Sequence, residues 1–286
     1  MVFGVVLALL VTAAPAQAHD VLAVRWEPRV VRQGDVAMVF LTGLPDAKTV
    51  EGSLAGQSLT FFPYGDGYAA LAGLDLEARP GMAAWRVGVV DAQDRPMKAS
   101  GRLQIRARKF PVQRLTLPRE MVELDALTLR RVEEESKRLR TLYATITPER
   151  LWRGRFTKPV GVPDAGEGFG ARRIINGQVR APHAGLDYSA DTGTPVVAAN
   201  AGRVALVADY FFPGRLVVLD HGLGLYTLYF HLEQAEVADG DRVERGQIIG
   251  RVGASGRATG PHLHFAAHLR QTRVDPAVLL QQKLPE

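Results

Sequence analysis

Six of the seven histidines in this 286-residue chain fall between His183 and His268. Four of them sit in three short strings, HAGLD, YFHL and PHLHF. His183 and Asp187 are four residues apart and His262 and His264 two apart, which gives two candidate ligand pairs. A strand turns residues i and i+2 to one face, so His262 and His264 can look at a common centre. The His183 and Asp187 pair is expected to close on that centre from a loop or a short turn. Two imidazoles and one carboxylate, with a fourth position left to water, is the pattern of a catalytic zinc site, whereas a structural site fills all four places. His231 adds an imidazole beyond what three ligands need, and spare imidazoles beside a metal-activated water suggest general acid and base chemistry.

Each string alone is weak, since an HxxxD is usually accidental and an HxH in a strand is more often two ordinary polar side chains. Together they resemble the lysostaphin/LytM-type zinc metallopeptidases, a family of peptidoglycan endopeptidases. The likeness extends to Phe169-Gly170, the run Asp191 to Val196, His221-Gly222 and the run Gly246 to Gly250, in the family's order, over roughly residues 150 to 277. The resemblance implies that His183, Asp187 and His264 hold one zinc ion and that His231 and His262 form the catalytic pair. It also implies attack of a zinc-activated water on a peptide carbonyl, with the two histidines orienting or deprotonating that water and returning a proton to the leaving amine. Some relatives lose ligands and act as binding or activator modules; no position of the motif is missing here. His221, in an expected turn before Gly222, and His268, four residues past His264, are read as structural or supporting.

The elements that must position these residues read as mainly β. Val196 to Ala199, Arg203 to Val207, Leu216 to Leu219 and Leu225 to Phe230 have strand length and are mostly separated by glycine-containing turns, which predicts an antiparallel sheet with an open groove. The segment Asp239 to Gly250 resembles the hairpin turns of biotinyl and lipoyl domains, hinting at a barrel-sandwich architecture. No carrier-domain lysine motif accompanies it.

Upstream, an immunoglobulin-like β-sandwich is expected over 19–109, from short strands such as Val21 to Val24, Ala37 to Leu41 and Trp85 to Val90 broken by Gly, Pro and Asp. Trp85, Val87 and Val89 would share a face. A helical connector is expected over 110–149, with a helix from Pro118 to about Tyr143 whose apolar face carries Val122, Ala126, Leu129, Val132, Ser136, Leu139 and Tyr143. The peptidase-like domain then takes 150–286. This helix, or the sandwich it tethers, is a candidate for intramolecular inhibition of the groove. Residues 1 to 175 contain no asparagine, so such a block would need a carboxylate or plain steric cover rather than an asparagine.

Val2 to Val11 is almost wholly apolar and Ala16-Gln17-Ala18 offers small residues, so 1–18 reads as a secretory signal cut after Ala18, although no basic residue precedes the apolar run. The run is too short for a comfortable membrane span. Cleavage there would leave His19 at the amino terminus; copper chelation by it would want a second histidine nearby, and residues 20 to 182 contain none. There is no cysteine, so stability cannot depend on disulfides. The net charge of +5, with basic clusters at Arg102 to Lys109 and Arg172-Arg173, suits an anionic cell wall, and without a nucleic-acid motif nucleic acid is not the expected partner. The expected protein is a periplasmic or secreted zinc endopeptidase cutting peptidoglycan cross-links or stems. The alternatives are a secreted protease on glycine-rich proteins and a non-catalytic wall-binding or amidase-activating module.

Overall fold

The computed structural model describes residues 22–44, 46–163 and 166–286. The expected signal segment and His19 lie outside the described residues. The carboxy-terminal part is built on a nine-stranded sheet in which every pairing is antiparallel, as the glycine-punctuated runs predicted. Its path runs through Gly185–Ser189, His262–Leu269, Leu225–Ala235, Gly214–Asp220, Gly202–Tyr210 and Arg242–Val243. Pro195–Val197 and Ile248–Val252 pair with each other, and the latter also with Leu225–Ala235, curling the sheet into a half-barrel.

Alternation along the strands sorts side chains to two faces. Leu263, Phe265 and Leu269 enter the main core with Leu186, Tyr188, Val217 and Leu219. Ala266 faces the other way, with Leu216, Val218, Tyr226 and Leu228. His262 and His264 share the parity of Ala266 and therefore lie on this second face.

The amino-terminal part is a two-sheet sandwich. One sheet orders Ala23–Glu27, Val36–Thr42, Gly67–Gly73 and Phe61–Tyr64; the other orders Val30–Arg32, Pro96–Arg106, Gly81–Val90, Thr49–Leu54 and Gln57–Ser58. Ala37, Val39 and Leu41 meet Val87, Val89, Leu103 and Ile105 between them. Trp85 lies on the same face as Val87 and Val89, its ring 6.1 Å from that of Trp26. This arrangement establishes a sandwich, and no kinship to the immunoglobulin fold follows from it.

Strand Val36–Thr42 is buried on both sides. Its second set, Val36, Met38 and Phe40, joins Trp152, Leu269 and Val274 in the main core, so one apolar interior runs through both parts. Phe62 meets Trp152 edge-on at 5.5 Å. Arg273 pairs with Asp75 at 2.6 Å, and Arg108 with Asp275 at 2.7 Å. Asp275 also caps helix Pro276–Gln281 by accepting from the Ala277 N–H.

The connector departs from expectation in two ways. Residues Val112–Leu115 form a strand that pairs in parallel with Arg172–Ile175, where only helix and loop were expected. The helix spans Ala126–Ala144 rather than starting at Pro118. Pro118 instead opens a single 3-10 turn, Arg119–Met121, and the helix begins where the Asp125 carboxylate accepts from the Thr128 N–H at 2.8 Å, satisfying an otherwise unpaired first-turn donor. Val132, Ser136, Leu139 and Tyr143 turn inward as predicted, whereas Leu129 is 47% exposed, so only the later turns are covered. They pack on the second sheet face, where the Tyr143 ring stacks on His268 at 4.2 Å. No helix among the described residues is long and apolar enough to cross a membrane.

Candidate metal centre and active site

Asp187 lies within strand Gly185–Ser189, not on the loop or turn expected for it, and stands directly opposite His264 across the strand pair. Cross-strand neighbours point to the same side, so register alone brings carboxylate and imidazole together. The Oδ1 of Asp187 is 2.8 Å from His264 Nδ1 and 3.1 Å from His183 Nε2, and the two imidazole nitrogens are 2.8 Å apart. His183 enters from just before the strand, held by its own backbone to Ala171 O at 3.0 Å and by Gly170 N–H at 2.7 Å. Two glycines make room: a Cβ at Gly168 (φ +97°) would strike the His183 ring, and one at Gly185 would sit 2.6 Å from His264 Nε2.

These three atoms fit a metal ion. Two imidazole nitrogens facing each other and a shared carboxylate oxygen cannot all carry the protons such contacts need, whereas three lone pairs converging on one point suit a cation. Their 2.8 to 3.1 Å separations are slightly tighter than the roughly 3.3 Å edge of a tetrahedron with zinc-type bonds of about 2.0–2.1 Å. Burial alone would raise the Asp187 carboxyl, but hydrogen bonds from His183 and His264 hold it far below the usual carboxylate range. Burial pushes His264 down to about 4, keeping its nitrogen free of a second proton at neutral pH. Phe230 stacks on the His264 ring at 5.2 Å and 14°.

His231 and His262 flank this set, their rings 4.7 Å apart. The Nδ1–H of His262 donates to Gly260 O at 2.8 Å and that of His231 to Ser255 O at 2.8 Å, which leaves each Nε2 as an open lone pair. The Nε2 of His262 is 3.9 Å from Asp187 Oδ1. Burial, with His264 and His262 adding to it, pushes His231 down to about 3.

His231 reaches the site through a local irregularity. Strict alternation with Leu225 and Tyr229 would turn it into the core. Between the pairs Val217/Tyr229 and Arg215/Leu232 the strand carries one extra residue, and His231 takes φ +61°, its N–H bonded to Pro213 O. This β-bulge reverses its side.

The five residues expected from sequence are thus brought together, and Asp187, His231, His262 and His264 line one groove of about 270 Å³. Its other walls were not foreseen: Gln113 to Leu115 and Leu117 from the connector, Arg173 and Ile175 beside them, and Arg257 to Thr259. In the sequence Arg173 counts only as part of a basic cluster, whereas its Nη2 lies 3.5 Å from Asp187 Oδ2. His221 and His268 stay outside. The Nδ1–H of His221 donates to Ala201 O at 2.7 Å, and its Nε2 accepts from Thr227, which in turn joins Tyr229.

Residues 181–276 match the family model described as Peptidase family M23. Among curated proteins, the peptidoglycan DD-endopeptidase ShyC of Vibrio cholerae is 43% identical over 99 residues, 34% of this chain and 23% of its own length. The DD-carboxypeptidase/endopeptidase Mpg of Neisseria meningitidis is 42% identical over 94 residues, 33% of this chain and 22% of its own. The chain therefore spans less than a quarter of these relatives. Among solved structures, a candidate M23 peptidase from Pseudomonas aeruginosa aligns over 87% of this chain and 94% of its own with 28% identity and a TM-score of 0.62. Residues 181–276 are accordingly a peptidase family M23 domain, and the chain shares the fold of the Pseudomonas structure.

Proposed function

We propose, from this M23 peptidase domain, that the protein is a zinc metalloendopeptidase of the cell envelope that hydrolyses peptide bonds in peptidoglycan cross-links or stems. The observation that carries the reading is the pairing of a three-atom ligand set with two imidazoles whose Nε2 atoms are left open beside it. His183 Nε2, Asp187 Oδ1 and His264 Nδ1 would hold the ion. Bound zinc would bring the pKa of a water near 7 and polarise a carbonyl oxygen. His231 and His262, each fixed by its Nδ1–H to a backbone carbonyl, accept a proton at Nε2 and deliver one to the departing amine. Phe230 and the buried strand pair keep the ligand rings from turning. A binding module would have no need of both open imidazoles.

The names of the relatives, DD-endopeptidase and DD-carboxypeptidase/endopeptidase, support peptidoglycan as the substrate and the envelope as the place of action. They favour it over glycine-rich proteins. If the groove is obstructed within the chain, the residues placed to do it are Gln113 to Leu117 of the connector, since the sandwich packs against the main core. The test is mass spectrometry of peptides released from purified sacculi by the full chain, with His264→Ala as control. Defined cross-link fragments from the native protein alone are expected; none from a zinc-loaded full chain would sink the reading.

A further inference from the structure

Three arginines line the same groove as the metal set: Arg114, exposed on the connector strand, and the two half-buried ones, Arg173 from strand Arg172–Ile175 and Arg257 from the loop before strand His262–Leu269. Like charges gathered in one cleft need a reason. Arg257 is held with its guanidinium carbon 4.0 Å above the Phe212 ring, and it lines the cleft. Burial lowers it to about 10, with the nearby charges of Arg173 and Arg180 adding to the effect and no carboxylate offsetting them. The Nε of Arg173 is buried without a hydrogen-bond partner, and among the described residues its carboxylate contact, to Asp187, is long at 3.5 Å. Asp187 turns its Oδ1 to His183 and His264 and meets the Arg173 charge only through the long contact of its Oδ2. The groove has an unmet demand for an anion beside the reacting centre.

We propose that Arg173 and Arg257 form a carboxylate subsite that grips a free carboxylate of the peptide being cut, next to the scissile bond, and so selects acidic over amidated stems. The inference rests on the function proposed above and deepens it. A planar guanidinium fork matches a carboxylate with two parallel hydrogen bonds, and in a half-buried cleft such a bond is stronger than in water. Arg173 sits at the ligand residue Asp187 itself, which sets the gripped carboxylate within a residue or so of the bond attacked. The arginines act as specificity-determining groups and take no part in proton transfer.

The experiment uses the zinc-loaded full chain and two synthetic stem peptides that differ only in carrying a free carboxylate or a carboxamide beside the scissile bond. The expected result is a kcat/KM for the carboxylate peptide about tenfold or more above that for the amide, expressed mainly in KM. That ratio should fall close to one in Arg257→Ala and stay intermediate in Arg257→Lys, which keeps the charge without the fork. Arg173→Lys should lower the ratio in the same direction. Thermal unfolding of each variant checks its fold, and the ratio in the unmutated protein decides the matter even if a variant does not fold. Cleavage of both peptides at equal rates overturns the subsite and leaves the peptidase reading standing. Failure to cleave either peptide or sacculi overturns both.

Discussion

His231 takes a left-handed backbone conformation at the extra residue of its strand, and this one angle moves an imidazole from the core side to the groove side. Its ring is fixed by Ser255 O, not by a metal contact, so His231→Ala and His262→Ala should each keep stoichiometric zinc while turnover on sacculi falls by about 10²–10⁴. His264→Ala should lose the metal, and elemental analysis separates the two cases. His221 makes a different prediction. It is fully buried, hydrogen-bonded as a neutral ring and lowered to about 4 from 6.5, chiefly by burial. The unfolded chain therefore takes up this proton first as pH falls, and the folded state is disfavoured progressively from about pH 6.5 down to about pH 4. The share of this loss due to His221 should approach on the order of 3 kcal/mol, and His221→Gln should reduce the pH slope of urea unfolding across that window by that share. That these five residues converge on one place was legible because independent strings agreed. The side on which His231 falls was not, because alternation reads the wrong face when a strand gains a residue.

At the level of elements, the antiparallel sheet was readable from strand-length runs and glycine turns, but the connector was only half readable. Val112–Leu115 is short, polar and paired in parallel with a strand 60 residues away, so neither apolar periodicity nor a hairpin turn announces it. The helix start was misplaced because Pro118 suits a first turn, whereas the cap that fixes the boundary is Asp125 with Thr128. The connector strand is pinned at its end by Asn176, whose side chain accepts from the Leu117 N–H at 3.0 Å and donates to Leu117 O at 2.9 Å. Asn176→Ala removes both bonds. Hydrogen exchange over residues 113 to 117 should then rise by an order of magnitude or more while the central sheet stays protected. Unchanged exchange there would mean that the strand pairing alone holds the groove wall.

For the whole molecule, the sandwich and the M23 domain are joined by a common interior and not by a flexible tether. The continuous run Val36 to Leu41 signals a strand covered on both faces, yet nothing in the run names what covers the second. Met38 lies on that second face and is fully buried. Met38→Ala should cost about 2–5 kcal/mol and lower a single unfolding transition in which both parts melt together, followed by calorimetry and by loss of zinc. Two separate transitions would show that the shared interior does not couple them. Residues 150 to 286 alone would expose the Trp152 and Val274 surface, and are expected to be aggregation-prone rather than a simple unregulated enzyme.

The same shared interior has a consequence for biosynthesis. Thr272 reaches back to Gln57 across 215 residues, and the second face of the sandwich is covered by side chains that the ribosome delivers well after it, Trp152 first and Leu269 and Val274 more than a hundred residues later. The sandwich must therefore wait with one apolar face bare while the rest of the chain emerges, which favours holding by chaperones and slow, all-at-once maturation. In a protein assembled in that order, the groove is complete only once strand His262–Leu269 is in place.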